Sequence, residues 1–359
     1  ESLHRVRKPR AFKRGLFRLE TFKLVSAALL PTLLKITDKP SAKAGGFFYM
    51  TKEINVISVS GGKDSTAMLL LAIERGTENI QPVFCDTGNE HPLTYQYIKY
   101  LAESTGLEIK WLKADYTAAI EQKRKTVQTK WREEGISERK IEEALAVLHP
   151  TGIPFLDMVI CKGRFPSTRM RFCSIELKAD VLKKQIQLPL IKQGIDVVSW
   201  QGIRHDESKA RSCAVERDLA MRDEKTGAEL WNYRPILDWT ASDCFDMMLR
   251  HGIQPNQLYK LGMGRVGCMP CINCRKEELR EIANRFPEQI DRIEEWEKIG
   301  QKAGKKSIAT FFPVANGNGQ GIRDAVTWSR TARGGRQYDI FADGEQASSM
   351  CSSKYGLCE

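Results

Sequence analysis

Two short stretches of the 359-residue chain bring reactive residue types together at a spacing that chemistry can use. One is Ser60-Gly61-Gly62-Lys63-Asp64-Ser65 and the other is Cys268-Met269-Pro270-Cys271-Ile272-Asn273-Cys274. Glycines let a backbone bend closely around an anion, and the amides opening a following helix then point at it, aided by the helix dipole. Lys63 adds a point charge, Asp64 a carboxylate, and Ser60 and Ser65 hydroxyl donors. The spacing is not that of a Walker A loop, which separates its first glycine from the Gly-Lys pair by a longer gap. A polar strand-to-helix turn would be the alternative for a Gly-Gly pair alone. The lysine, the aspartate and the two serines argue for phosphate binding. In the second stretch the C-x2-C-x2-C spacing suits a [4Fe–4S] cluster or a structural Zn2+, with three reduced loop thiols as the bland alternative. Either metal centre needs a fourth soft ligand from elsewhere.

Other candidates are more dispersed. Asp86-Thr87-Gly88 ends an apolar run, where a carboxylate can accept from a ribose hydroxyl or hold Mg2+ near phosphates; an ordinary Asp-Thr-Gly turn is the alternative. Arg204 and Arg211 suit bidentate capture of phosphate or sulfate oxygens, unless Glu207 simply pairs with one of them. Cys351 and Cys358 close the chain, and a tail thiol can act as a nucleophile that takes up sulfur. Arg323, Arg330, Arg333 and Arg336 lie in a Gly-rich stretch over 315–337 that reads as loop, and they could touch a phosphate backbone.

The elements that position these residues follow from periodicity. Ile54 to Ser60 reads as a buried strand, Ser65 to Arg75 as a helix, Ile80 to Cys85 as a second strand, Pro92 to Ser104 as a helix and Glu108 to Leu112 as a third strand. That alternation implies an α/β fold with a parallel sheet. The charged stretch from Thr117 to Leu148 reads as an inserted helical pair placed to act as a lid. A helix over Glu176 to Gln193 and a strand over Asp196 to Gln201 follow. Thr240 and Asp243 open a capped helix that runs to Arg250. One or two amphipathic helices occupy 275–303, with Leu279, Ile282, Phe286, Ile290, Ile293 and Trp296 in phase.

Composition sets wider limits. Hydrophobic residues are 42% and charged residues 28%, which excludes a disordered or membrane-embedded chain. The apolar stretch Leu24 to Leu34 is interrupted by Pro31 and is too short to span a bilayer. The net charge is +11, but residues 1–49 hold 11 Lys/Arg against 3 Asp/Glu, so the remainder is close to balanced. That opening reads as a transit peptide, a basic arm, or upstream sequence before a natural start at Met50. Ten cysteines without a secretory signal point to a reducing, cytoplasmic setting in which thiols bind metal or do redox work.

The motifs, in order over about 54–275, resemble the phosphoadenosine phosphosulfate (PAPS) reductase family of the PP-loop ATP pyrophosphatase superfamily. SGGKDS is similar to the superfamily's phosphate loop, and Asp86-Thr87-Gly88 to its second nucleotide element. Gly202, Arg204, Glu207, Ser208 and Arg211 match a G-x-R-x-x-[EQ]-S-x-x-R element. Arg234 to Trp239, then Tyr259, Gly262, Gly267 and Cys268, resemble a P-L-x-D-W-T … N-x-L-Y … G-C run. The resemblance implies a PP-loop fold over 50–260 with a helical insertion at about 117–150. The basic extension 1–49 lies outside it, and a cysteine-cluster region with a tail spans 261–359. It implies adenine-nucleotide binding by residues 60–65, 86–88, Gly202, Arg204, Glu207 and Ser208, with Lys63, Asp64, Arg204 and Arg211 catalytic. Cys173, before an E-L-K segment like that of sulfur-handling members, becomes the preferred fourth ligand with Cys268, Cys271 and Cys274, and Cys161 the alternative. A [4Fe–4S] cluster is favoured over Zn2+ because iron–sulfur relatives occur in the family.

Three activities are compatible with that resemblance. One is thiol chemistry on PAPS or APS, with a donor such as thioredoxin. A second is ATP- and Mg2+-dependent sulfur transfer to nucleic acid, like DNA phosphorothioation or tRNA thiolation, with a cysteine desulfurase as partner. The third is a non-catalytic nucleotide sensor. The family's reductases carry a C-terminal E-C-G-x-H cysteine motif, whereas no His follows His251 here; that departure weighs toward the second, which stands as the alternative to the leading reading, the first. Expected partners are an adenine nucleotide, a thiol donor and, in the second reading, nucleic acid; no membrane is involved.

Overall fold

The computed structural model describes residues 53–207, 211–312 and 321–331. Six strands form one sheet: β1 (Ile54–Ser58), β2 (Ile80–Asp86), β3 (Lys110–Lys113), β4 (Val197–Trp200), β5 (Arg217–Arg222) and β6 (Glu229–Tyr233), in the order β3-β2-β1-β4-β6-β5. All neighbouring pairs are parallel except β5 with β6. The sheet thus has the expected α/β character, with an antiparallel edge that periodicity did not announce.

Adjacent strand residues feed opposite cores, as a pleat requires. Val56, Val83 and Val197 face one apolar cluster, whereas Ile57, Phe84 and Val198 face the other. The second cluster is filled by α1 (Lys63–Glu74) and α2 (Pro92–Thr105). After β3 come α3 (Thr117–Gln128), α4 (Lys130–Glu133), α5 (Glu138–Val147) and α6 (Pro154–Lys162). A helical run over 172–192, α7, includes π-type turns at Ile175–Ala179 and Lys183–Gln187 and covers the first cluster with Val181, Ile186 and Ile191.

Beyond the sheet lie α8 (Ala241–Arg250), α9 (Gln257–Lys260), α10 (Lys276–Arg285), α11 (Pro287–Ala303) and α12 (Ile322–Ser329). The amphipathic stretch is two helices because Pro287 lacks an amide donor and starts α11 at its first position. The insertion is not a free lid: α5 packs on α11, burying Ile141 and Ala144. No described helix is long and apolar enough to cross a membrane. Leu24 to Leu34 lies outside the described residues.

The chain leaves β1 toward β2 and β3 on one side and returns through β4 on the other. β1 and β4 pair directly, so the connections diverge between them. In open α/β sheets this switch point, at the carboxyl ends of the strands, is where ligands bind.

Candidate active site

The turn that leaves β1 at the switch point is the glycine-rich loop. Gly61 adopts φ +76°, a region costly for a residue with a Cβ, and Gly62 caps α1 in an extended conformation. The Ser65 hydroxyl accepts from the Ser60 amide at 3.0 Å and donates to the Gly62 carbonyl at 3.1 Å, which ties the loop across its own neck. The Lys63 amide donates to the Tyr259 hydroxyl at 2.8 Å. Tyr259 thus brings the segment after α9 onto the mouth of the loop.

Asp64 is the charged hub. One of its oxygens accepts from Arg204 Nε at 2.6 Å and the other lies 3.3 Å from Lys63 Nζ. The buried Cys244 thiol donates to it at 3.5 Å, and burial, reinforced by Asp64, pushes that thiol up. Arg204 also reaches Asp206 at 2.7 Å and the Trp239 carbonyl at 3.2 Å. The backbone can approach this closely because Gly202 follows β4. A Cβ there would sit 3.3 Å from the Asp64 carbonyl carbon. Glu207 accepts from the Arg204 amide at 3.2 Å and pairs with Arg211. Residues 60–65, 202, 204, 207 and 211 thus form one connected set, in which the Glu207–Arg211 pair is the alternative set against phosphate capture by Arg211.

The Asp86 carboxylate points elsewhere. It is buried, accepts from the Gly88 amide at 2.9 Å and the Tyr95 hydroxyl at 2.8 Å, and pairs with Lys113 at 2.9 Å. Its geometry shapes the turn that follows, and that turn seats the cysteine loop. Asn89 donates to the Pro270 carbonyl at 3.0 Å and its carbonyl accepts from the Met269 amide at 2.8 Å. Arg292, on α11, clamps both sides by donating to Asn89 Oδ1 and the Met269 carbonyl, each at 2.8 Å. Glu90 forms a β-bridge with Cys268, and its carboxylate accepts from the Thr87 amide and hydroxyl at 3.1 and 2.8 Å.

The thiols gather around Cys271. Burial raises Cys173, and Cys271 raises it further. Cys268 is pushed up to about 12 by burial first and Glu90 next, with Lys178 pulling the other way and Cys271 adding a smaller upward push. Cys274 is raised by burial, Glu278 and Cys271, against Arg265. Cys161 is pushed up to about 11, chiefly by burial, and Cys271 is not among its causes. Cys173, Cys268 and Cys274 thus each lie within electrostatic reach of Cys271. As the side chains stand, no three His, Cys, Asp or Glu among the described residues are grouped closely enough to hold a metal ion. The donor types suit a thiolate-bound centre.

Glu90, Arg292 and Lys178 were not named as site residues from the sequence, although Lys178 closes the E-L-K segment after Cys173. Glu90 had one available signal, a carboxylate four residues after Asp86. Ser208, Cys351 and Cys358 lie outside the described residues, as do Arg333 and Arg336. Arg323 pairs with Asp291 and Glu294, and Arg330 donates to Asn284 at 3.4 Å.

A parallel α/β sheet with a phosphate loop at its switch point defines a nucleotide-binding class of protein. Within that class, the chain belongs to the phosphoadenosine phosphosulfate reductase domain family, whose model matches residues 54–274. It is 44% identical over 329 residues to a 37.8 kDa protein of Escherichia phage 186, covering 85% of this chain and 97% of that one. It is 27% identical over 117 residues to the adenosine 5'-phosphosulfate reductase of Neisseria meningitidis, covering 32% of this chain and 44% of the relative. The phosphoadenylyl-sulfate reductase of Candida auris, in its phosphate complex, aligns with TM-score 0.36 at 14% identity over 60% of this chain and 82% of that one.

Proposed function

We propose that the chain is an enzyme that grips the phosphates of a sulfated adenylyl nucleotide, PAPS or APS, in the loop 60–65 and presents its sulfur to cysteine thiols. One observation carries this reading: a single segment, Tyr259 to Cys274, both touches the phosphate loop and bears the thiol cluster. The backbone amides of the loop, Lys63 and Arg204 supply the positive field in which a phosphate or sulfate leaving group is stabilised.

A cysteine thiolate attacks the sulfate sulfur, the S–O bond to the nucleotide breaks, and AMP or its 3'-phosphate leaves with the electron pair. A second thiolate then attacks the Sγ of the resulting S-sulfocysteine, breaking its bond to the sulfonate sulfur, releasing sulfite with the electron pair and leaving a disulfide, which a dithiol donor such as thioredoxin reduces. Cys358 and Cys351 are our candidates for the attacking thiol. Cys173, Cys268, Cys271 and Cys274 would hold a [4Fe–4S] cluster, which when bound would supply a redox-capable centre.

The carboxylates favour a sulfated nucleotide over Mg·ATP. Both Asp64 oxygens are committed to Arg204 and Lys63, and Asp86 to Lys113, Tyr95 and Gly88. Magnesium would have to displace a lysine in either place. The deciding assay compares sulfite release from PAPS and APS, with a dithiol present, against pyrophosphate release from ATP. Sulfite is the expected product; turnover of ATP alone, or of no nucleotide, overturns the reading.

A further inference from the structure

We propose that the cavity walled by α3, the end of α6 and the turn after α11 is a docking surface for the phosphodiester backbone of nucleic acid. The cavity measures about 600 Å3 and is lined by Lys123, Lys162, Arg164, Lys305 and Lys306, with no Asp or Glu among its lining residues. The inference is independent of what the phosphate loop binds.

A backbone contact builds the surface. α6 is capped by Gly163 at φ +64°, and α11 is followed by Gly304. A Cβ on Gly163 would lie 2.7 Å from the Gly304 Cα, and one on Gly304 would lie 2.6 Å from the Gly163 carbonyl oxygen. Only glycines permit that approach. It locks Lys162-Gly163-Arg164 against Gly304-Lys305-Lys306, so two basic turns face each other at the cost of mutual repulsion. Outside residues 1–49 the chain is close to electrically balanced, and this concentration of one sign stands out from it.

The cations divide by role. Lys123 donates to the carbonyls of Ile160 and Ala303 at 2.7 and 2.8 Å and braces the floor. Lys162 pairs with Glu176 at 2.7 Å and Lys305 with Glu134, both carboxylates outside the lining. Arg164 and Lys306 make no ion pair with any described residue and remain available to an anion. Lys162 and Arg164 also sit over the Phe172 ring, at 5.6 and 5.7 Å from its centre. A planar platform under a guanidinium is a common support for nucleic-acid contacts.

The test uses the full chain and an Arg164→Glu/Lys306→Glu double variant, whose fold is checked by circular dichroism. Both are titrated with fluorescent single-stranded RNA, single-stranded DNA and duplex DNA at several salt concentrations. The expected result is saturable binding whose logarithm falls linearly with the logarithm of salt. The variant should bind at least about tenfold more weakly, with a single-strand slope shallower by about 1.4 for two lost phosphate contacts. The three arms identify which nucleic acid is preferred. If the charge reversal fails to fold, Arg164→Gln/Lys306→Gln must show the same loss of slope. The proposal fails if no probe binds saturably, or if the variant keeps the parent's slope and affinity, as it would were residues 1–49 responsible. It also fails if polyglutamate or inorganic phosphate displaces the nucleic acid as readily as unlabelled strand does.

Discussion

Two cations beside the phosphate loop have different surroundings, and substitution separates their roles. Lys63 has one carboxylate neighbour, Asp64, at 3.3 Å. Lys63→Ala should weaken nucleotide affinity by roughly ten- to a hundredfold, the worth of a charge-assisted hydrogen bond, with the melting temperature little changed. A collapsed melting temperature with unaltered affinity would contradict this. Arg204 is buried and holds Asp64, Asp206 and a carbonyl together. Arg204→Ala leaves Asp64 with Lys63 as its remaining cationic partner and should cost about 1.5–3 kcal/mol of stability, the worth of a hydrogen bond to a charged group, measured by urea unfolding; unchanged stability would make Arg204 a ligand contact rather than a brace. Cys85 offers a pH test at the same scale. Burial pushes its thiol up to about 11 from 9.0. Between those values the folded chain keeps a proton that the unfolded chain loses, so stability falls as pH rises through the window. Iodoacetamide at pH 8 should label exposed Cys213 well before Cys85, and equal labelling by mass spectrometry would refute the assignment.

Elements were legible where they were amphipathic or capped, and obscure where distant residues made them. The Thr240 capping box is present, with Asp243 accepting from the Thr240 amide at 2.6 Å and its own amide donating to the Thr240 hydroxyl at 3.2 Å. Thr240→Ala should lower stability by about 1 kcal/mol, measured by urea unfolding; α8 packs on α1 and also reaches the site through the Cys244 thiol on Asp64, the route by which any change in nucleotide affinity would arise. The β5–β6 hairpin gave no such signal. β5 is an edge strand exposed along most of its length, so it shows no alternation of apolar and polar residues. α12 read as loop because glycines and arginines flank it. Its first turn is held from outside by Glu297, which accepts from the Ile322 amide at 2.9 Å and the Phe311 amide at 2.7 Å. Likewise, the phosphate loop and the cysteine spacing were plain in the sequence, but their union depends on Tyr259 and on Asn89, whose partners lie far along the chain. Gly88, in the turn that seats the cysteine loop, is itself packed tightly against the start of α6. It sits at φ +75°, and a Cβ would come 2.8 Å from the Ile153 side chain. Gly88→Ala should therefore cost more than about 1 kcal/mol and loosen the seat of the cysteine loop.

At the scale of the whole molecule, the decisive feature is that phosphate loop and thiols are mechanically one unit. The Tyr259 hydroxyl takes the Lys63 amide proton, and a Cβ on Gly62 would lie 3.3 Å from the Val266 carbonyl. A phosphate seated on those amides must compete with Tyr259 for the Lys63 donor, and any shift of Tyr259 is passed to the segment that carries Cys268, Cys271 and Cys274. Coupling between binding events is reciprocal. If nucleotide alters the thiol loop, then loading the thiols must alter nucleotide affinity by the same factor. Zn2+ is a convenient probe, because thiolates bind it without redox change. Zn2+ affinity measured with and without nucleotide, and nucleotide affinity measured with and without Zn2+, should shift by one common factor of about 5 or more. Cys271→Ser should abolish the metal arm, because Cys271 is the thiol that neighbours the other three. Nucleotide affinity that is indifferent to Zn2+ would mean that the two motifs share a segment of chain but no free energy, and the thiols would then have to be assigned a role apart from the nucleotide.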